Sequence, residues 1–193
     1  MKIISRGAEA VLYNIGDKIK KERICKKYRA PQIDCSLRKM RTRKELNNMT
    51  RLRAIGVNVP IVSQIDDFSL RIERIKGLTL QELIKADNTN LKPIFKSIGE
   101  QIRQIHDFDI IHGDLAPTNV IINNDLEPFF IDFGLSYCSK SIEDKATDFL
   151  LFLKLLESLN FGKDLSGALF EGYSPTQEFL KRLGVIKKRA RYL

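Results

Sequence analysis

Residues 110–136 read IIHGDLAPTNVIINNDLEPFFIDFGLS, and the reading of the fold turns on this stretch. Two short apolar runs, Val120 to Ile122 and Phe129 to Ile131, flank an Asn-Asn-Asp turn, which is the pattern of a β-hairpin. The polar residues stand at its ends: Asp114 comes five residues before Asn119, and Asp132 follows the second run directly. The hairpin is therefore expected to fold an Asn and two carboxylates towards one small volume. Such a set of hard oxygens suits Mg²⁺, which takes one or two carboxylates together with nucleotide phosphates. Taken singly, Asp-Phe-Gly reads as a loop turn and His112-Gly-Asp as a surface bend; the information lies in their joint spacing on a hairpin behind a helix.

Upstream of this stretch, short apolar pieces (Ile3-Ile4, Val11 to Tyr13, Ile19) alternate with turn signals at Gly7 and at Asn14 to Asp17, which predicts a meander of strands closed by Pro31. From Asp34, read as an N-cap, to Ala54 the pattern is helical, with Gly56 and Pro60 as the stop. Two more strands are expected over Ile61 to Ile65 and Phe68 to Ile75. Gly77 to Thr79 opens a helix through a Thr79-x-x-Glu82 capping box. Pro93 starts another, in which Ile94, Ile98, Ile102 and Ile105 share one face. Strands with one helix, then mainly helices, make an α+β plan. The boundary falls near Lys76 and Gly77, giving units of residues 1–76 and 77–193, the second holding the Asp114 loop, the Asp-Phe-Gly and a basic tail.

The chain of 193 residues carries 43% apolar and 30% charged residues, with no repeat and no Ser/Gly/Pro-rich tract, so disordered, fibrous and solenoid classes are excluded. A formal charge of +9 favours anionic partners such as nucleic acid, nucleotide or an acidic protein. Three cysteines without a CxxC pair support neither a disulfide framework nor a zinc knuckle. The most apolar run, Phe149 to Leu156, is interrupted by Lys154 and is too short to span a bilayer. The expectation is a soluble, cytoplasmic protein with no membrane contact.

The 110–136 stretch resembles the catalytic core of the eukaryotic-type protein kinase superfamily, with its catalytic-loop Asp, an Asn five residues on, and a metal-binding Asp-Phe-Gly. The resemblance implies that Asp114 orients the nucleophile or accepts its proton, and that Asn119 and Asp132 hold Mg²⁺ on the phosphates of ATP. Gly113 stands where that superfamily usually has an Arg receiving an activation-loop phosphate, so control of that kind is not expected. It also implies a Lys–Glu pair upstream. Glu45 shares its helix face with Met49 and Leu52, and an unpaired carboxylate there would be costly. Lys21, with Ile19 on the same strand face, is the first choice of partner; Lys20 is the alternative, because periodicity alone does not separate neighbouring lysines. Gly7 and Ala8 correspond to the phosphate-covering turn. Glu73 and Ile75 occupy the place of the adenine-binding hinge, where backbone groups would be used. Asp148 resembles the helix carboxylate that braces the catalytic loop.

Only 61 residues follow Asp132 and none forms Ala-Pro-Glu, so a short second lobe is expected, without a full activation segment and its peptide-docking helices. Three segments carry a narrower likeness: Lys21-x-Arg23-x-x-Lys26-x-Tyr28-Arg29-x-Pro31-x-x-Asp34, then Arg41-Thr42-x-x-Glu45, then Asp132 to Ser136 with Glu143-Asp-Lys145. With the basic end Lys187, Lys188, Arg189 and Arg191, they resemble the small kinase-like ATPase subunits of the KEOPS tRNA-modification complex. That family implies a minimal bilobal protein-kinase-like fold with a β-rich N-lobe and a truncated helical C-lobe. It implies ATP hydrolysis with Mg²⁺, serine autophosphorylation, and work beside the catalytic subunit that makes threonylcarbamoyl adenosine in tRNA and beside a small regulatory subunit. The charge agrees with a tRNA partner, since residues 18–53 hold fourteen Lys/Arg against three Asp/Glu. The basic end is expected as a mobile tail reaching RNA phosphates. Two other readings stand beside it: a non-catalytic tRNA-binding scaffold of kinase shape, and a free-standing small kinase.

Overall fold

The computed structural model describes residues 2–86, 90–159 and 163–189. The chain divides into two compact units, one formed by the residues up to Ile75 together with Asp132–Leu135, the other by Lys76–Ile131 and the residues from Ser136 onward.

In the first unit, β1 (Lys2–Arg6), β2 (Ala10–Asn14), β3 (Lys18–Arg23), β4 (Val62–Asp66) and β5 (Ser69–Glu73) form one antiparallel sheet in the order β1-β2-β3-β5-β4. Its turns come from the expected chemistry. Gly16, at φ 86°, lies in the left-handed region that glycine enters without a Cβ penalty, and its N–H is taken by the Asn14 side chain. Helix α1 (Pro31–Ala54) lies between β3 and β4 in sequence and buries Met49 and Leu52. It begins three residues before Asp34, the expected N-cap. Pro31 starts the helix instead of closing the strands, because proline's fixed φ and missing N–H suit the first helical turn. Asp34 is thereby placed inside the first turn, fully buried, accepting the Lys26 N–H and pairing with Arg38 at 2.7 Å.

In the second unit, β6 (Gly77–Thr79) leads into α2 (Leu80–Ala86), followed by α3 (Lys92–Asp107) and β7 (Ile110–Ile111). After these come the hairpin of β8 (Val120–Asn123) and β9 (Pro128–Phe130), β10 (Tyr137–Cys138), and helices α4 (Ile142–Glu157), α5 (Lys163–Tyr173) and α6 (Gln177–Arg189). The capping box forms as its residue types require: Thr79 N–H donates to Glu82 and Glu82 N–H to the Thr79 hydroxyl oxygen, at 2.8 and 3.2 Å. Gly77 to Thr79 also pair with β8 as a strand, which the sequence reading had as helix opening only. The pairing partner lies more than forty residues on, beyond any local signal. The expected isoleucine face of α3 is buried throughout. Phe149, Tyr173 and Phe179 form an aromatic cluster with centroids 4.5–5.8 Å apart.

Helices α3 and α5 meet at two glycines. A Cβ on Gly99 would lie 2.2 Å from the Leu169 carbonyl oxygen, and one on Gly172 would lie 1.9 Å from that of Lys96. Both neighbours are backbone and cannot swing aside. Among the described residues the cysteines form no disulfide, and no helix is long and apolar enough to cross a membrane. Gly99→Ala should destabilise the chain by about 1–3 kcal/mol through overpacking. Gly167→Ala, on α5 with open space around it, should be neutral or stabilising by up to about 1 kcal/mol. Urea unfolding of both variants checks this; equal effects would remove the close approach as the cause.

Candidate active site

The first unit assembles a chain of charges that runs from three buried groups to a partly exposed carboxylate, Asp132. Residues at i and i+2 of a strand share a face, so β3 sends both Lys21 and Arg23 to the same side, where they are 7% and 5% exposed. Opposite them α1 presents Glu45, fully buried. Lys21 Nζ donates to Glu45 Oε1 at 2.7 Å and Arg23 Nη2 to Glu45 Oε2 at 2.5 Å, so each carboxylate oxygen has its own cation. Lys21 Nζ also donates to Asp132 Oδ1 at 2.7 Å. Lys20 turns away and pairs with Glu22 at 2.9 Å.

Asp132 belongs to this unit because the short turn Phe133–Leu135 packs against α1. The sequence reading grouped it with residues 77–193, since chain order places it after the hairpin. Its φ of 62° is unusual for a residue with a Cβ, a local strain held by Lys21 and by the Gly134 N–H at 3.4 Å. Burial raises the Asp132 pKa, but the Lys21 charge and hydrogen bond, and then the Arg23 charge, hold it below the usual carboxylate range. Burial pushes the Lys21 ammonium down, yet Glu45 and Asp132 together hold it above its ordinary value. Both groups are therefore charged at neutral pH.

The turn bearing Gly7 and Ala8 is exposed. Gly7 closes it through its N–H to the Ala10 carbonyl at 2.9 Å, and a Cβ there would meet only ordinary contact. Glu9 fastens the turn, accepting from Arg29 at 3.0 Å and pairing with Arg41 of α1 at 2.8 Å. Glu73, at the end of β5, spends its N–H on the Ile61 carbonyl and accepts the Ile61 N–H with its carboxylate. Ile75 is the last residue of the unit before Lys76.

In the second unit Asp148 of α4, 3% exposed, braces the loop before the hairpin. Its Oδ2 accepts the His112 N–H at 3.1 Å and its Oδ1 the Gly113 N–H at 3.0 Å. His106 of α3 joins Asp148 at 3.2 Å through Nε2 and the Tyr173 hydroxyl at 2.9 Å through Nδ1. Burial raises the Asp148 pKa, but the hydrogen bond and charge of His106 lead the effects that bring it below the usual range. The loop is held with Asp114 exposed, and Asn119 Nδ2 donates to the Asp114 carbonyl and carboxylate at 2.9 and 3.1 Å. The His112 ring closes the arrangement, with Nε2 on the Ile131 carbonyl and Nδ1 accepting the Asp114 N–H.

The two residues that the resemblance assigns to Mg²⁺, Asp132 in the first unit and Asn119 in the second, are each of a type that suits the ion. Among the described residues, Asp132 Oδ2 and Asn119 Oδ1 receive no hydrogen bond, so each residue keeps a hard oxygen. No group of three or more His, Cys, Asp or Glu forms a metal site among those residues. Lys187, Lys188 and Arg189, expected in a free tail, form the last turn of α6, where Arg189 reaches Glu143 at 3.2 Å and Lys187 lies 3.6 Å from Glu157. Arg191 lies outside the described residues. The sequence reading missed Arg23 as a member of the Glu45 cluster, although its spacing from Lys21 already put both on one strand face.

Residues 5–151 match the family described as RIO domain. The chain is 34% identical over 213 residues to the KEOPS complex subunit Bud32 of Pyrococcus abyssi, covering all of this chain and 96% of that one. It is 32% identical over 203 residues to the EKC/KEOPS complex subunit BUD32 of Enterocytozoon bieneusi, covering 99% and 98%. A probable bifunctional tRNA threonylcarbamoyladenosine biosynthesis protein of Methanosphaera stadtmanae is 37% identical over 199 residues, but the chain spans only 37% of its length. Among solved structures, the Rio2 kinase of Chaetomium thermophilum, crystallised as an ADP/Mg²⁺-phosphoaspartate complex, superposes with a TM-score of 0.67 at 14% identity over all of this chain and 71% of that one. The bifunctional kinase-methyltransferase WbdD gives 0.65 at 19% identity, over 95% and 43%. With a family match over most of its length and near-full-length relatives above 30% identity, the chain belongs to the RIO-domain family of kinase-like proteins and, within it, to the group of the KEOPS subunit Bud32.

Proposed function

We propose that this chain is an Mg²⁺-dependent ATPase with serine/threonine-kinase-like chemistry that supports threonylcarbamoyl adenosine modification of tRNA as a KEOPS subunit. The observation that carries the catalytic part is the Lys21–Glu45 pair with Lys21 also bonded to Asp132. Burying such charges is seldom the most stable way to fill a core. Their retention therefore argues for a reaction and against the scaffold reading. The relatives' names support the complex and the tRNA modification.

In this reading Lys21 has three N–H donors; two serve Glu45 and Asp132, and the third is free for a phosphate oxygen. Asp132 and Asn119 would hold Mg²⁺, which when bound neutralises charge on the transferring phosphate. Asp114, kept exposed by the Asp148 brace, orients the attacking hydroxyl or water and takes up its proton. Phosphoryl transfer needs little covalent help, so positioning and charge suffice. Gly7 and Ala8 cover the phosphates with backbone, and the segment through Glu73 and Ile75 meets the adenine. The partners are the threonylcarbamoyl-transferring subunit, a small regulatory subunit and tRNA, in the cytoplasm. The helical turn of Lys187, Lys188 and Arg189 supplies RNA phosphate contacts.

Asp132→Ala should abolish Mg²⁺-dependent phosphate release from ATP, and Asp114→Ala should lower it by about 10²–10⁴, the scale of a positioned acid or base. Radiolabelled ATP, scored for free phosphate and phosphoprotein, measures both; wild-type-like release in either variant rejects the assignment. Glu45→Gln should cost more activity than Glu100→Gln, which is exposed on α3. Replacing Lys187, Lys188 and Arg189 by Gln should weaken tRNA binding and flatten its salt dependence by up to about three counterion equivalents, while ATP hydrolysis without tRNA changes little. Identical salt slopes would leave the helix end with no part in RNA binding.

A further inference from the structure

The Lys21–Glu45 pair accounts for one oxygen of Glu45; the other is held by a second buried cation. Arg23 Nη2 lies 2.5 Å from Glu45 Oε2, and its own backbone is fixed by the Phe68 carbonyl at 2.9 Å and by Arg38 Nη1 at 3.4 Å. The guanidinium also reaches the Asp-Phe-Gly turn. A Cβ at Gly134 would stand 2.4 Å from Arg23 Nη2 and 3.2 Å from Cζ. Position 134 thus has no room for a side chain while Arg23 is in place.

We propose that Arg23 is a positioning residue for phosphoryl transfer: it occupies one oxygen of Glu45, confines Lys21 to the other, and packs its guanidinium against the Asp132–Gly134 turn. Without it, both oxygens of Glu45 are open to Lys21 and the ammonium's second donor is drawn off Asp132, so the third donor still meets phosphate but Lys21 and the Asp132 carboxylate lose the alignment that transfer needs. A lysine at 23 keeps the charge but lacks the planar fork that touches both groups. Arg23 acts through Glu45 and Lys21 and does not itself touch substrate. This role rests on the phosphoryl-transfer reading above.

The test uses the full chain with ATP·Mg²⁺, measuring turnover and, separately, affinity for a fluorescent ATP analogue. Arg23→Met should lower kcat by about tenfold or more, as for other residues that orient a reacting group, while nucleotide affinity shifts by no more than about threefold. Arg23→Lys should lie between, and carries the test if the Met variant does not fold, as judged by thermal unfolding. Adding Arg23→Met to Glu45→Gln should cost little beyond Glu45→Gln alone, because the two share one interaction. Gly134→Ala should impair the wild type more than it impairs the Arg23→Met background. Additive losses, or an equal Gly134→Ala penalty in both backgrounds, overturn the role, as does unchanged turnover in both Arg23 variants. A wild-type chain that binds the analogue but shows an Arg23→Met loss only in affinity also overturns it. A wild-type chain that binds no nucleotide overturns the phosphoryl-transfer reading and this role with it.

Discussion

The first unit is organised around the Glu45 carboxylate, which α1 carries into a fully buried position. A charge there is tolerable only if both oxygens are met. Strand β3 meets them from one face, Lys21 on Oε1 and Arg23 on Oε2. This requirement sets the register of β3 against α1, because a one-residue slip of the strand would send both cations to the opposite face. It also draws in Asp132 through Lys21, and with it the turn that packs on α1. Two basic and two acidic groups thus meet in one cluster, and within it Lys21 and Asp132 each stabilise the charge of the other.

The second unit solves a parallel problem with one carboxylate and backbone donors. Asp148 accepts the successive amides of His112 and Gly113, and His106, itself held by Tyr173, completes its coordination. A loop fixed from beneath in this way can leave Asp114 exposed and still ordered. Gly113, at φ 76°, accepts a conformation that a larger residue enters at a cost, so the glycine there has a backbone reason independent of any regulatory one. The close crossing of α3 and α5 at Gly99 and Gly172 seats the His106 and Tyr173 arms of the same network.

The sequence by itself determined the elements whose signals are local. The hairpin of β8 and β9, the capping box at Thr79, the isoleucine face of α3 and the burial of Glu45 with Met49 and Leu52 all follow from periodicity and turn chemistry within a few residues. Where the same local logic failed, two signals competed: Pro31 serves equally as a strand stop and as a first helical residue, and only the burial of Asp34 beneath Arg38 shows which. The tertiary structure decided what depends on distant partners. It separated Lys21 from Lys20 by which one faces α1, recruited Arg23 to the free oxygen of Glu45, and paired Gly77–Thr79 with β8. It also joined Asp132 to the unit that precedes it by more than fifty residues. The physical reason is the same in each case. Side-chain direction along a strand is fixed by its pleat, but which face meets a buried charge is settled only when the sheet and the helix pack, and the cost of leaving that charge unmet makes the choice.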